Sequence, residues 1–127
     1  MTPPIILVVE DDPVLRYLTT LQISTLGYKA ETVDCGEAAV ERDHAGIALI
    51  FMDMGLPGID GCDATLLIRK KELSEKRRRV PIIALTAHSD RQRCLLAGMD
   101  DFLQKPALIA DIKYMLEKWL PNSTSNN

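Results

Sequence analysis

Cysteine is scarce in this chain. Cys35, Cys62 and Cys94 are an odd number, widely spaced and without a CxxC pair. That excludes a disulfide framework or a cysteine zinc site and fits reduced thiols in a cytoplasmic protein. No apolar run approaches the ~20 residues that a membrane span needs. Nor does the opening Met-Thr-Pro-Pro set a basic region before an apolar stretch, as a secretory signal would. Basic residues are not in excess either. The 15 Lys and Arg face 18 Asp and Glu, for a net charge of −3, whereas nucleic-acid binders usually carry a positive balance. The ending PNSTSNN (121–127) holds no apolar residue and reads as a disordered tail or linker stump. That leaves one domain over 1–120, in a chain that is 46% apolar and 26% charged, with enough length to bury about two thirds of its unfolded surface.

Four short apolar runs predict strands: Ile5 to Val9, Ile47 to Met52, Ile82 to Leu85, and the weaker Phe102-Leu103. Lys29 to Val33 alternates polar and apolar residues like an edge strand. Runs rich in Ile, Val and Leu suit strands buried on both faces of a parallel sheet. Helical patterns lie between them. Asp12-Pro13 is a good helix start, with Val14, Leu18, Leu21 and Leu26 recurring and Gly27 closing. Further helices are expected at Gly36 to Asp43, at Asp60 to about Ser74 (Ala64, Leu67, Ile68 and Leu73 on one stripe), and at Asp90 to Ala97. The last, Ala107 to Leu120, turns Ile109, Ile112, Met115, Leu116 and Trp119 inward. Five alternations of strand and helix predict an α/β fold, a three-layer flavodoxin-like sandwich around a five-stranded parallel sheet of order 2-1-3-4-5.

The residues just past the strand ends carry the chemistry. Glu10, Asp11 and Asp12 come after the first strand, Asp53 after the third, Thr86 after the fourth and Lys105 after the fifth. In a parallel sheet these ends share one edge, where ligands bind at the reversal of strand order. Glu10, Asp11 and Asp53 would then crowd together, and two like charges ~4 Å apart repel by about 4 kcal/mol at an effective dielectric of 20. Hard oxygen donors without His or Cys favour Mg²⁺. A carboxylate nucleophile, a metal, the Lys105 ammonium and the Thr86 hydroxyl are the parts of phosphoryl transfer onto an aspartate.

Ile6-Leu7-Val8-Val9-Glu10-Asp11-Asp12-Pro13, Phe51-Met52-Asp53-Met54-Gly55-Leu56-Pro57-Gly58-Ile59-Asp60-Gly61, Leu85-Thr86-Ala87 and Lys105-Pro106 together resemble a response regulator receiver domain. The Ile83-to-Ala87 and Ala97-to-Leu103 stretches are most similar to the receiver modules of hybrid sensor histidine kinases. The resemblance implies a cytoplasmic phosphoacceptor, not an enzyme in its own right, that assists its own phosphorylation and dephosphorylation. Asp53 would take the phosphoryl group from a phosphohistidine of a histidine kinase or histidine phosphotransfer protein. Asp11 would bind Mg²⁺ directly and Glu10 through water, with Asp53 and the Gly55 carbonyl completing the ligands. Lys105 and Thr86 would hold the phosphoryl oxygens, Phe102 would turn inward on activation, and the bond before Pro106 would be cis. The output would be read by a downstream effector or an attached domain, with no direct nucleic-acid contact and no membrane insertion. The chain would be a stand-alone regulator or an excised module.

Two rivals use the same elements. A flavodoxin-like mononucleotide binder wants a Gly/Ser/Thr-rich loop where three acids stand. An aspartate-dependent phosphatase usually places its nucleophile and a second Asp after the first strand. Among the remaining residues, Lys76-Arg77-Arg78-Arg79 reads as a solvated loop and His44 as a solvent-facing residue. His88 reads as a residue at the pocket rim, and Cys62 and Cys94 as core fillers. Leu15 and Leu18, with the loop after Lys105, read as an apolar dock for a phosphotransfer helix, unless Leu18 is ordinary core.

Overall fold

Successive residues of a strand point to opposite faces, so buried strands must feed two separate cores. The computed structural model, which describes residues 3–87 and 91–120, shows this division. The elements are β1 (Ile5–Val9), α1 (Pro13–Thr25), β2 (Lys29–Val33), α2 (Gly36–Glu41) and β3 (Ile47–Asp53). They continue with α3 (Gly61–Ser74), β4 (Ile82–Thr86), α4 (Arg91–Leu96), β5 (Asp101–Gln104) and α5 (Ile109–Trp119). The strands form one parallel sheet in the order β2-β1-β3-β4-β5. Leu7, Val9, Ile50, Met52, Ile82 and Ala84 pack with α2, α3 and α4 on one face. Their alternates Ile6, Val8, Leu49, Phe51, Ile83 and Leu85 pack with α1 and α5 on the other. Each of these side chains larger than alanine contributes about 1.5–3 kcal/mol by leaving water. Cys62 and Cys94 fill the first core, each with its sulfur 4.0 Å from that of Met54.

The helices depart from the expected stripes. On α1, Val14, Leu18 and Leu21 are exposed, and Ile23 is the buried residue. The face turned to the sheet carries Ile23 and the partly buried Leu26; the Thr20 hydroxyl bonds the Arg16 carbonyl, and the Gln22 amide donates to the Ala107 carbonyl at 3.0 Å. On α3, Ala64 and Ile68 are buried as expected, but Leu67 is exposed and Leu73 is 82% exposed. Glu72 is buried in their place because Arg69 neutralises it. Ile109 of α5 is also exposed, and His44 is half-buried with Nε2 donating to the Ala39 carbonyl at 2.9 Å. Burial holds the His44 pKa below its ordinary value. Arg79 of the basic run pairs with Asp100 rather than with solvent alone. The 121–127 tail lies outside the described residues.

Asp101 fixes the end of α5. Its Oδ2 accepts from Lys118 Nζ at 2.9 Å and from the Trp119 indole N–H at 3.1 Å. Burial pushes the Asp101 carboxyl up, but Lys118, the Phe102 N–H and Trp119 outweigh it, and the net pKa falls below its ordinary value. A depressed folded value means stabilisation that is complete above the unfolded value and lost as pH falls through the folded one. Asp101→Asn is therefore expected to cost about 1 kcal/mol at neutral pH, after discounting the solvent-screened lysine. Urea unfolding checks it: the gap to wild type closes on acidification below the ordinary aspartate range. A gap unchanged by pH removes the charge from the account.

Candidate functional site

The register of the sheet sets the site. Val9 of β1 lies beside Met52 of β3, Asp53 beside Leu85, and Thr86 beside Gln104. Glu10, Asp53, Thr86 and Lys105 therefore end four adjacent strands at one edge. Asp12 caps α1, accepting from the N–H groups of Val14 at 2.9 Å and Leu15 at 3.3 Å. Its own N–H donates to Glu10 Oε2 at 3.2 Å. Arg16, which no sequence motif singles out, reaches back to the carbonyls of Glu10 at 3.0 Å and Asp11 at 3.4 Å and tightens the turn. One acid is thus committed to the helix, and the other two are aimed at β3.

Glu10, Asp11 and Asp53 each offer a carboxylate oxygen, and these oxygens lie within 4.8 Å of one another. Lys105 Nζ bridges two of them, 2.9 Å from Asp53 Oδ1 and 3.0 Å from Glu10 Oε1. The Gly55 N–H also donates to Asp53 Oδ1, at 3.1 Å. Burial raises the Glu10 pKa, the Lys105 and Asp12 hydrogen bonds only partly offset it, and the Asp53 charge pushes the same way as burial. Burial would lower the Lys105 pKa, but its bonds to Asp53 and Glu10 prevail and raise it. The ammonium stays charged, while Glu10 ionises against resistance.

The trio opens onto a cavity of about 470 Å³ that Thr86, Gly55 and Lys105 also line. Among the described residues its wall holds no His or Cys. This oxygen-only donor set, with one carboxylate reluctant to ionise alone, fits a hard divalent cation such as Mg²⁺. Thr86 is buried, and its carbonyl accepts from the Lys105 N–H at 2.7 Å. Lys105-Pro106 is cis, as expected. Phe102 is half-buried on β5, with the Arg91 guanidinium 5.8 Å from its ring centre. His88 lies outside the described residues. The sequence motifs also leave out Arg93, which lines the cavity from α4; a cation seven residues past Thr86 was the available signal.

The family model described as response regulator receiver domain matches residues 6–117. The chain belongs to that family. This receiver domain is 37% identical over 133 residues to hybrid signal transduction histidine kinase C of Dictyostelium discoideum, covering 98% of this chain and 11% of that protein. It spans about a tenth of the curated relatives it matches. The receiver domain of sensor histidine kinase PA1611 from Pseudomonas aeruginosa PAO1, solved with magnesium coordinated in its active-site cleft, is 41% identical. The match covers 93% of this chain and 98% of that one at a TM-score of 0.80. The receiver domain of the Saccharomyces cerevisiae response regulator Ssk1, solved with the histidine phosphotransfer protein Ypd1, is 29% identical. There the match covers 94% of this chain and 90% of that one, at a TM-score of 0.83. Among the described residues no helix is long and apolar enough to cross a membrane.

Proposed function

We propose that this receiver domain is a phosphorylation-dependent signalling switch whose phosphoacceptor is Asp53. The observation that carries the reading is the Lys105 ammonium held between Asp53 and a buried Glu10, with Asp11 completing a cation-sized oxygen cluster. Glu10, Asp11 and Asp53, with Gly55 beside them, would hold Mg²⁺, which when bound supplies charge neutralisation and orients a phosphoryl oxygen. An Asp53 carboxylate oxygen forms the new P–O bond while the P–N bond to the donor imidazole breaks and the imidazole keeps the electron pair. Lys105 holds the charge that develops on the transferring group. The Thr86 hydroxyl then bonds a phosphoryl oxygen, and Phe102 turns into the space that Thr86 leaves. The phosphoryl group thereby shifts a balance between two states at the face of α4, β5 and α5, where an effector or attached domain reads it.

The donor side has its own support. Leu18 is exposed beside a shallow groove that Leu15, Pro106 and Ala107 line and that shares Glu10 and Lys105 with the acidic cavity. Such a surface suits an apolar helix of a histidine phosphotransfer protein or histidine kinase, whose phosphohistidine would then stand over Asp53. This favours Leu18 as part of the dock over Leu18 as core.

Incubation with acetyl phosphate and Mg²⁺, followed by intact mass, tests the reading. One phosphoryl group per chain is expected, and none after chelation of the metal. Lys105→Ala separates metal binding from transfer. Removing the ammonium leaves the carboxylates free for a cation, so Mg²⁺ affinity holds or rises. The labelling rate falls at least about tenfold for want of one charge-assisted contact. Labelling at the wild-type rate would take Lys105 out of its role.

A further inference from the structure

The cavity above Asp53 has a second cation in its wall. Among the described residues that line it, Glu10, Asp11, Asp12 and Asp53 face Lys105 and Arg93. Lys105 is bonded to Glu10 and Asp53, but Arg93 is engaged elsewhere. Its Nη2 lies 3.1 Å from Asp60 Oδ2, in a pair whose side chains are 53% and 31% exposed. Asp60 is the N-cap of α3, with its other oxygen accepting from the Asp63 N–H at 2.9 Å. The next residue, Gly61, packs so tightly on the phosphoacceptor strand that a Cβ there would come within 2.4 Å of the Asp53 carbonyl oxygen. The ion pair is therefore anchored one residue from the backbone of Asp53 itself.

Two magnitudes decide what such a pair can do. A solvent-open ion pair is worth no more than about 1 kcal/mol, so this contact with Asp60 is weak. A phosphoryl group carries about −1.5 to −2 charges and three acceptor oxygens, against the single charge of the Asp60 carboxylate. The guanidinium fork matches phosphoryl geometry better than an ammonium does. With Asp12 spent on capping α1, the incoming anion is the stronger competitor for Arg93.

Resting on the reading of Asp53 as phosphoacceptor, we infer that Arg93 is a second phosphoryl-binding residue of this cleft, held off by Asp60 and exchanged onto the phosphoryl oxygens as the group arrives. Asp60 is then a negative regulator of the transfer as well as a helix cap. No bond beyond the ion contact is made or broken in the exchange.

The two ends of the pair must therefore act with opposite sign. Arg93→Gln removes the phosphoryl contact, whereas Asp60→Asn removes one competing anion from the guanidinium and keeps the helix capped, since Asn caps as well as Asp. Labelling by acetyl phosphate at saturating Mg²⁺, followed by intact mass, is expected to slow about fivefold in Arg93→Gln, the size of one partly solvated ion contact. It is expected to quicken in Asp60→Asn and to return most of the way to wild type in Arg93→Lys. Mg²⁺ affinity, titrated separately by calorimetry, should hold or tighten in Arg93→Gln because a neighbouring cation is gone. Slower labelling in both Arg93→Gln and Asp60→Asn would mark the pair as merely structural and overturn the inference, as would an unchanged rate in Arg93→Gln. If wild type itself is not labelled, the phosphoacceptor reading falls and takes this one with it; if wild type labels normally, only the role of Arg93 is at stake.

Discussion

Asp53→Asn is expected to gain no phosphoryl mass from acetyl phosphate and Mg²⁺ under conditions that label wild type fully. The amide keeps the shape of the side chain and its place beside Lys105 and the Gly55 N–H, but its nitrogen and carbonyl oxygen are poor nucleophiles at phosphorus. Folding should not suffer. The wild-type carboxylate sits 4% exposed beside a buried Glu10 whose ionisation it opposes, so neutralising it relieves repulsion. The variant should accordingly show an unchanged circular dichroism spectrum and a weaker Mg²⁺ affinity, because one of three anionic donors is lost. Labelling of Asp53→Asn at the wild-type level would falsify the assignment of the phosphoacceptor, whatever the rest of the site does.

The largest loss of stability is expected far from that edge. Arg69 of α3 donates from Nη1 to both oxygens of Glu72 at 3.0 and 3.1 Å and to the Val80 carbonyl at 2.7 Å. Its Nη2 reaches Asp100 Oδ2 at 2.8 Å, and its Nε the Gly98 carbonyl at 2.9 Å. The carboxylates are engaged in turn, Glu72 by the Val80 N–H and Asp100 by the Ile82 N–H, both at 2.9 Å. The side chains of Arg69, Glu72 and Asp100 are only 12%, 7% and 12% exposed. Arg69→Met leaves two largely buried acids with only part of their compensation. Breaking a buried network in this way costs about 3–5 kcal/mol, a large share of a total near 5–15 kcal/mol. Chemical denaturation reads the loss directly. Because the network stands where β4 begins and the acidic cluster where it ends, Mg²⁺ affinity per folded molecule should not change. A loss below about 1 kcal/mol would mean that water already shares these carboxylates.

Much of the fold was legible because parallel strands impose a simple rule. A run such as Ile5 to Val9 or Ile47 to Met52 is apolar at every position only if both faces are covered, and alternating helices supply the cover. The same rule made the candidate site legible, since acids, Asp53, Thr86 and Lys105 placed after four different strands have to meet. Less legible was which way each helix turned. Val14, Leu18 and Leu21 have the spacing of a buried face, yet they point to solvent because α1 turns Ile23 and Leu26 to the core instead. Glu72 has the look of a surface acid until Arg69 and the Val80 N–H are brought to it. Arg93 stood out only as a cation seven residues past Thr86, because Asp60, which it pairs with, lies 33 positions away.

By itself, the order of residues determined the alternation of strands and helices, the parallel sheet and the shared edge at which the charged groups gather, since these result from pattern and connectivity alone. Only the packed structure decided that Lys105 would span Glu10 and Asp53, that an apolar stripe of α1 would stay in water, and that Arg93 would be held by Asp60. Those outcomes depend on distances and dielectric surroundings between residues remote in sequence, and such quantities exist only once the chain has closed around them.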